Sequence, residues 1–334
     1  MPEIVDVFNS DIFTMKSLTD SINKLPFKPA RIGQMGLFST QGIPTTSLMV
    51  EERDGQLFLI PTQPRGGPAN KMKNEKRTAR SLVVPHIPLE DVVLASEVQN
   101  VRQFGSVDMS AGVAQVVNDK MEVMRQSHEV TLEYQRLGAL RGIILDADGA
   151  TTIYNLFIEF NVSPDTVDFA LDVDTTDVRS KVLEVKRLVE LALSGVPFDH
   201  VHAFTGKTWF ERLIRHPTVY EAYERWQDGQ MSRSDPRKGF EFCGVIFEEY
   251  TGTVSTKQFV ADGDCHFFPV GAPNLFKTVY APGDFIEAVN TIGLPMYAKS
   301  ELMEYGRGIK LLTESNPLSI CLRPKALVTG TTET

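Results

Sequence analysis

Between Ser110 and Phe160 the chain carries a helix pattern too long for a small domain, followed at once by a hairpin pattern. In AGVAQVVNDKMEVMRQSHEVTLEYQRLGAL, apolar residues recur at Val113, Val117, Met121, Met124 and Leu132, and His128 falls on the same stripe. Ser110 is the expected N-cap, and no proline interrupts the run before Gly142. Thirty residues at about 1.5 Å each give a rod of roughly 45 Å. Residues Gly142–Leu145 and Ile153–Phe160 read as strands around an Asp146-Ala147-Asp148-Gly149 turn. A long helix with a polar outer face running into a hairpin is a strut, and the rest of the chain must attach to it.

The composition limits what such a strut can serve. The chain has 334 residues, 42% hydrophobic and 23% charged, enough for one large or two ordinary domains. Its net charge of −9 argues against coating nucleic acid, which calls for a basic face. Its 3 cysteines, Cys243, Cys265 and Cys321, are odd in number and far apart, which fits a reducing compartment rather than a disulfide framework. Glu3 and Asp6 stand where a signal peptide would be basic, and no apolar run approaches the ~20 residues of a membrane span. A cytoplasmic site of synthesis is expected.

Either side of the strut the chain looks extended. Residues 1–30 read as an arm with a short helix, apolar at Ile12, Met15, Leu18 and Ile22, that Pro26 ends. Thr45–Glu52 and Gln56–Pro61 flank an Arg53-Asp54-Gly55 hairpin signal. A turn-rich segment from Gln63 to Asn70 follows, then basic residues at Lys71, Lys73, Lys76, Arg77 and Arg80 against the single acid Glu75. Strand character returns at Leu82–Val84 and Val92–Leu94, which makes the whole a long projecting loop with a basic tip, either solvated or seated on an acidic neighbour. Beyond the strut, Asp165–Asp177 reads as an acidic linker, and Asp177 caps a helix with Val178, Val182, Val185, Val189 and Ala192 on one face. Phe198–Phe204 reads as a buried strand, Thr208-Trp209-Phe210-Glu211 as a capping box, and Ser232–Gly239 as a polar loop. Strands are expected at Phe240–Phe247, His266–Val270, Ile309–Glu314 and Leu318–Leu322, and the final TGTTET as a disordered tail.

Chemical motifs are hinted at and incomplete. Gly206-Lys207-Thr208 lacks the earlier glycine of a phosphate loop, whose place is held by Val201. Asp146-x-Asp148-Gly149 and the aspartates at 172, 174 and 177 lack the ligand spacing of a calcium loop. His200 and His202 alternate on a strand and could be joined by Cys265 and His266, but no paired ligand spacing supports zinc. The adjacent acids Glu51/Glu52 and Glu248/Glu249 point to opposite strand faces and make poor catalytic dyads. No catalytic residue, cofactor site or metal site emerges. An α+β chain with extensions that cannot bury themselves implies neighbouring subunits.

This order of parts resembles the lambda-like phage major capsid protein E family, with the Hong Kong 97-type capsid fold. The most specific local match is Ser315-x-Pro317-Leu318, an apolar strand to Leu322, then Pro324 and Leu327-Val328; Arg65-Gly66-Gly67 falls near the expected loop tip. The resemblance implies an N-terminal arm at 1–45, an E-loop at 46–95, and a peripheral domain at 96–176 with its spine helix at about 110–141 and hairpin at 142–160. It further implies an axial domain at 177–308, return strands at 309–328 and a disordered tail at 329–334. By resemblance the chain is a non-enzymatic major capsid protein of a tailed bacteriophage, without cofactor. It would self-assemble as hexamers and pentamers into the icosahedral shell that encloses packaged double-stranded DNA. The virion capsid is its expected location, after assembly in the host cytoplasm. A separate scaffolding protein, a portal and a decoration protein at local three-fold positions are the implied partners, with no sequence-specific nucleic-acid binding and no membrane. The E-loop tip, with Arg65, Lys71, Lys73, Lys76, Arg77 and Arg80, would lie on a neighbouring subunit, and Val113, Val117, Met121, Met124 and Leu132 would face the spine's core. Two further readings remain at this level: an encapsulin-like compartment shell, and a cytosolic metal-dependent hydrolase built on His200 and His202.

Overall fold

The computed structural model describes residues 14–24, 30–53, 77–98, 109–220, 235–254 and 257–332. The chain begins with helices α1 (Met15–Lys24) and α2 (Arg31–Met35) and strand β1 (Phe38–Gly42). An antiparallel hairpin, β2 (Ser47–Arg53) and β3 (Arg77–Val83), runs in register from Ser47↔Val83 out to Arg53↔Arg77. Arg53 pairs with Arg77, and the expected turn at Asp54-Gly55 and strand at Gln56–Pro61 fall in residues 54–76, outside the described residues. Strand β4 (Ile87–Leu94) and the short α3 (Ala95–Val98) lead to the spine, α4 (Met109–Arg141), 33 residues or about 50 Å. The spine starts at Met109, so Ser110 lies inside it rather than capping it.

The spine divides its length between two cores. Val117, Met121 and Met124 are buried with Leu18 and Ile22 of α1, Val93 of β4, and Ile309 and Leu311 of β16 (Gly308–Ser315). That small core is roofed by a three-stranded sheet in which β16 pairs with β4 on one side and β15 (Tyr297–Leu302) on the other. The arm helix thus buries its stripe on its own chain: Thr19 Oγ1 accepts from Ala298 N at 3.1 Å, and Asn23 Nδ2 donates to Met296 O at 2.9 Å. Further along the spine, Leu137 and Leu140 belong to the main core, and Leu132 is buried between the two. Val113 lies in the first turns of α4, outside the described side chains.

At Gly142, with φ +83°, the chain leaves the helix for strands β5 (Ile143–Leu145) and β6 (Thr152–Asn155). The second strand stops at Asn155 instead of continuing to Phe160. Its side chain accepts from Phe157 N and Ile158 N and so caps a one-turn helix, α5 (Leu156–Glu159). The expected acidic linker is in part a strand, β7 (Asp165–Asp168), before Asp177 caps α6 (Val178–Leu193) as anticipated. Then come β8 (His200–Thr205) and α7 (Lys207–Arg215). Thr208 does not cap α7; Gly206 occupies the N-cap, and the backbone carbonyl of Ala261 approaches so closely that no Cβ fits there. The single strand expected at Phe240–Phe247 is a hairpin, β9 (Phe240–Phe242) and β10 (Val245–Glu249), turned by Cys243 and Gly244 at φ +52° and +74°.

Two short strands, β11 (Thr253–Val254) and β12 (Lys257–Gln258), precede β13 (Cys265–Val270) and β14 (Phe276–Tyr280). The remaining strands are β17 (Pro317–Cys321) and β18 (Val328–Thr331). The main sheet has six strands in the order β7-β18-β13-β8-β10-β9, and a smaller one has the order β1-β14-β17. Phe247 and Phe267 pack with Trp209 and Phe169 on one face of the main sheet; Phe204 and Phe268 pack with Tyr250 and Phe276 on the other. The expected disordered tail is corrected here. Thr329, Gly330 and Thr331 form β18, hydrogen-bonded between β7 and β13. Polar threonines hid a strand whose pairing, on both sides, comes from distant segments.

Val117 is 1% exposed at the centre of the small core. A Val117→Asp subunit buries an unpaired carboxylate, at a cost of several kcal/mol. Loss of soluble subunit or a large fall in Tm is expected, and wild-type Tm would contradict this packing.

Candidate functional site

Three distant stretches meet at the N-terminus of α2. That helix has no side-chain cap of its own at Ala30. Glu133, reaching from the spine, takes this role: it accepts from Ile32 N at 2.6 Å and Gly33 N at 3.3 Å, and from the Tyr250 hydroxyl at 3.0 Å. Beside it, Arg31 forks onto Glu248 of β10, Nε to Oε1 at 2.6 Å and Nη2 to Oε2 at 2.7 Å. His202 Nε2 stands 3.2 Å from Glu248 Oε2 without an aligned hydrogen bond. Burial alone would raise the Glu248 carboxyl, but the approach of His202 and the hydrogen bonds and charge of Arg31 outweigh it and hold the group low. Burial, ahead of the Glu133 charge, pushes the Tyr250 hydroxyl up, and burial pushes the His202 imidazole down. The arrangement fixes charge in place. It joins the N-terminal segment, the spine and the main sheet.

The sequence motifs take structural roles. Asp148 accepts from Ala150 N and Thr151 N, both at 2.8 Å, closing its turn, and Asp177 accepts from Ser180 N. The N-terminus of α7 is filled by its own chain: Trp209 N donates to Asp262 O at 2.9 Å, and Gly206 N to Asp264 O at 2.8 Å. Among the described residues, no group of three or more His, Cys, Asp or Glu is placed to hold a metal. The adjacent acids of β10 separate as alternation requires, with Glu248 buried in the junction and Glu249 half-buried.

Two surfaces look outward. The loop hairpin is rooted in its own subunit: the Tyr154 hydroxyl donates to Val83 O at 2.8 Å, and the Arg80 guanidinium lies 5.1 Å from the Phe160 ring centroid. Arg80 and Arg77 therefore belong to strand β3 and not to a tip, while Arg65, Lys71, Lys73 and Lys76 lie outside the described residues, as does the Arg77 side chain. The other surface is the loop 281–295. Its backbone is held by Asp284 N on Glu314 Oε2 at 2.9 Å, Gly293 N on Ile43 O at 3.0 Å and Leu294 N on the Tyr297 hydroxyl at 2.9 Å. Yet it presents Ile286, Val289 and Ile292 at 91%, 63% and 68% exposure. An ordered loop that shows aliphatic side chains to water is a candidate interaction surface.

Comparison with known proteins decides what such a subunit is. The family model described as phage major capsid protein E matches residues 14–332. The chain belongs to the phage major capsid protein E family. It is 28% identical to the major capsid protein of Pseudomonas phage KPP10, over 95% of this chain and 96% of the relative. It is 26% identical to the major capsid protein of Salmonella phage Felix O1, over 95% of both. The fold is similar to that of a protein solved as the capsid protein of an E. coli CFT073 prophage, with a TM-score of 0.58 at 14% identity over 95% of this chain and 98% of that one. It is also similar to the capsid of an empty GTA particle, with a TM-score of 0.53 at 8% identity over 93% and 94%. As a member of the capsid protein E family, the chain is a tailed-phage major capsid protein with the Hong Kong 97-type α+β fold.

In this capsid subunit the spine also buries a neutral imidazole. His128 is 4% exposed, with Nε2 3.0 Å from Thr313 Oγ1, and burial holds it down to about 4 against the opposing pull of the Thr313 backbone. The unfolded chain takes the proton below about pH 6.5, while the folded chain refuses it until about 4. The His128 contribution is thus complete above pH 6.5 and is lost as pH falls through that window. Its size is on the order of 3 kcal/mol. Urea unfolding between pH 7 and 4.5 should show stability falling with pH, and His128→Gln should flatten the slope by up to one proton; an unchanged slope would contradict this assignment.

Proposed function

We propose that the chain assembles as hexamers and pentamers into the icosahedral shell of a tailed bacteriophage, around packaged double-stranded DNA. The observation that carries the assembly reading is loop 281–295, whose backbone is held and whose aliphatic side chains have no cover among the described residues. The unit built on the six-stranded sheet serves as the axial domain; β7 and β18 join it from outside the expected 177–308, and β15 leaves it for the β15-β16-β4 sheet. The spine, α1 and the β15-β16-β4 sheet serve as the peripheral domain. The segment 54–76, leaving from a root fixed by Arg80 and Tyr154, is the E-loop tip. Lys71, Lys73 and Lys76, with Arg65, seat it on an acidic surface of the next subunit. The work is done by assembly and not by catalysis. Assembly takes place in the host cytoplasm with a separate scaffolding protein and a portal, and a decoration protein binds at local three-fold positions.

Exposed ion pairs contribute only ~0.2–1 kcal/mol each, but a shell repeats the same contact in every subunit. The variant Lys71→Glu, Lys73→Glu, Lys76→Glu is expected to fold normally by circular dichroism and to fail to sediment as closed shells, or to do so only at particular salt. Wild-type protein, co-expressed with its scaffold, should give rings or shells in electron micrographs. A wild-type monomer at high concentration in several salts would refute the shell reading, and normal shells from the triple variant at low and high salt would remove the tip from it.

A further inference from the structure

The described residues leave a cleft of about 880 Å³ where the end of the spine and the β5-β6 hairpin meet the main sheet. Its floor crosses three strands: Thr166 of β7 stands opposite Thr329 of β18, which stands opposite His266 of β13. Its apolar wall is Leu145 of β5 with Phe157 and Ile158 of α5, and Ile158 is 75% exposed.

The polar groups of this cleft lack partners. His266 is 6% exposed, and its Nδ1 has no hydrogen-bond partner among the described residues. Burial, ahead of the nearby Arg141 charge, holds its imidazole down to about 3, so the ring is neutral. Arg141 lines the same cleft and donates Nε to Ile143 O at 3.4 Å, with no carboxylate in ion-pair reach among the described residues. Asp264 lines it too, and burial pushes its carboxyl up against the pull of Arg141. A guanidinium in need of an acceptor and a carboxylate in need of a donor, too far apart to pair, fit one group that carries both. A carboxamide is such a group, since its oxygen accepts and its nitrogen donates. A free anion or a free cation would meet one of the two as a like charge.

A carboxamide with the right neighbours stands on loop 281–295 of the same chain. Asn290 is exposed, and its side chain makes no hydrogen bond among the described residues. It sits at φ +58°, a conformation asparagine takes readily, in a turn closed by Val289 N on Ile286 O at 3.3 Å and Thr291 N on Ala288 O at 3.2 Å. Val289 and Ile292 flank it and are themselves uncovered. The loop is thus an ordered knob with a polar tip between aliphatic shoulders, and the cleft is a socket with a polar floor beside an apolar wall. Given the shell reading above, on which this contact rests, we propose that loop 281–295 of a second copy enters the cleft. The Asn290 carboxamide then lies between Arg141 and Asp264, with Val289 and Ile292 against Phe157 and Ile158. Knob and socket are different patches of one chain, so the contact is heterologous and can close a ring of subunits.

Particle yield by sedimentation and non-reducing gels of the full-length chain, expressed with its scaffold, test this contact. Asn290→Asp, at an exposed position, should keep the wild-type Tm and lower particle yield about tenfold, because a carboxylate then faces Asp264. Adding Asp264→Asn removes the repulsion and leaves Arg141 as partner, so the double variant should regain most of the yield. Cysteines at two exposed positions, Val289→Cys with Ile158→Cys, should give a disulfide-linked ladder in oxidised particles and none in dilute subunits. Either cysteine alone should give none, and the pair carries the test if Asp264→Asn does not fold. Wild-type particles together with an Asn290→Asp variant of normal yield, or with no ladder from the cysteine pair, would overturn the contact and leave the shell reading standing. A disulfide formed within one chain would also overturn it. Wild-type subunits that never assemble would refute the shell reading and this contact with it.

Discussion

A carboxylate placed in a protein interior must be surrounded by donors or it destabilises the fold. Glu133 meets that condition by holding the otherwise uncapped start of α2, and the placement of the N-terminal segment follows from it. With α2 fixed, Arg31 is aimed at Glu248, which in turn fixes β10 against the spine. The strand after α2, β1, runs parallel to β14 in the small sheet whose other edge, β17, packs near the spine. One glutamate thus determines where three parts of the chain can sit relative to one another. A shell subunit needs such rigidity, because an error in angle within the subunit is repeated around the whole closed surface.

The spine gives the molecule length, but its two halves do different work. The half from Val117 to Met124 closes a small core with α1 and the β15-β16-β4 sheet. The half from Leu137 onward joins the large core that also contains the aromatic residues of the main sheet. Between them lie the charged and polar residues Arg125, His128, Glu133 and Arg136, all buried. The polar centre acts as a keyed joint between two hydrophobic ends. Apolar packing supplies most of the stabilisation there, and the paired charges select one arrangement of the parts.

Much of this was legible because it rests on local pattern. The spine's apolar stripe, the valine face of α6 and its Asp177 cap follow directly from spacing and helix-end chemistry. The misreadings share a physical cause. Asn155 turns a strand into a helix by capping it, Cys243 and Gly244 fold one strand into two, and β18 is a polar threonine segment made into a strand by neighbours from residues 165–168 and 265–267. Such pairings are invisible to a window along the chain. The junction was missed for the same reason, since Arg31, Glu133 and Glu248 are each ordinary charged residues until folding brings them together. The available signal was on the spine itself, where Arg125, His128 and Arg136 fall on the buried face of a helix and so must find partners. Family membership added what local pattern could not, the shell in which the outward loops have a purpose.

The central claim is that Arg31, Glu133 and Glu248 at the head of α2 act as a unit that locks the N-terminal segment to the main sheet. A double-mutant cycle on the soluble subunit with Arg31→Met and Glu248→Gln, followed by urea unfolding at neutral pH, addresses it directly. The account predicts a coupling of about 1 kcal/mol, as for a bidentate pair whose carboxylate is buried and whose guanidinium stays partly in water. Effects that add to within about 0.5 kcal/mol would contradict it and would leave the placement of α2 to packing alone.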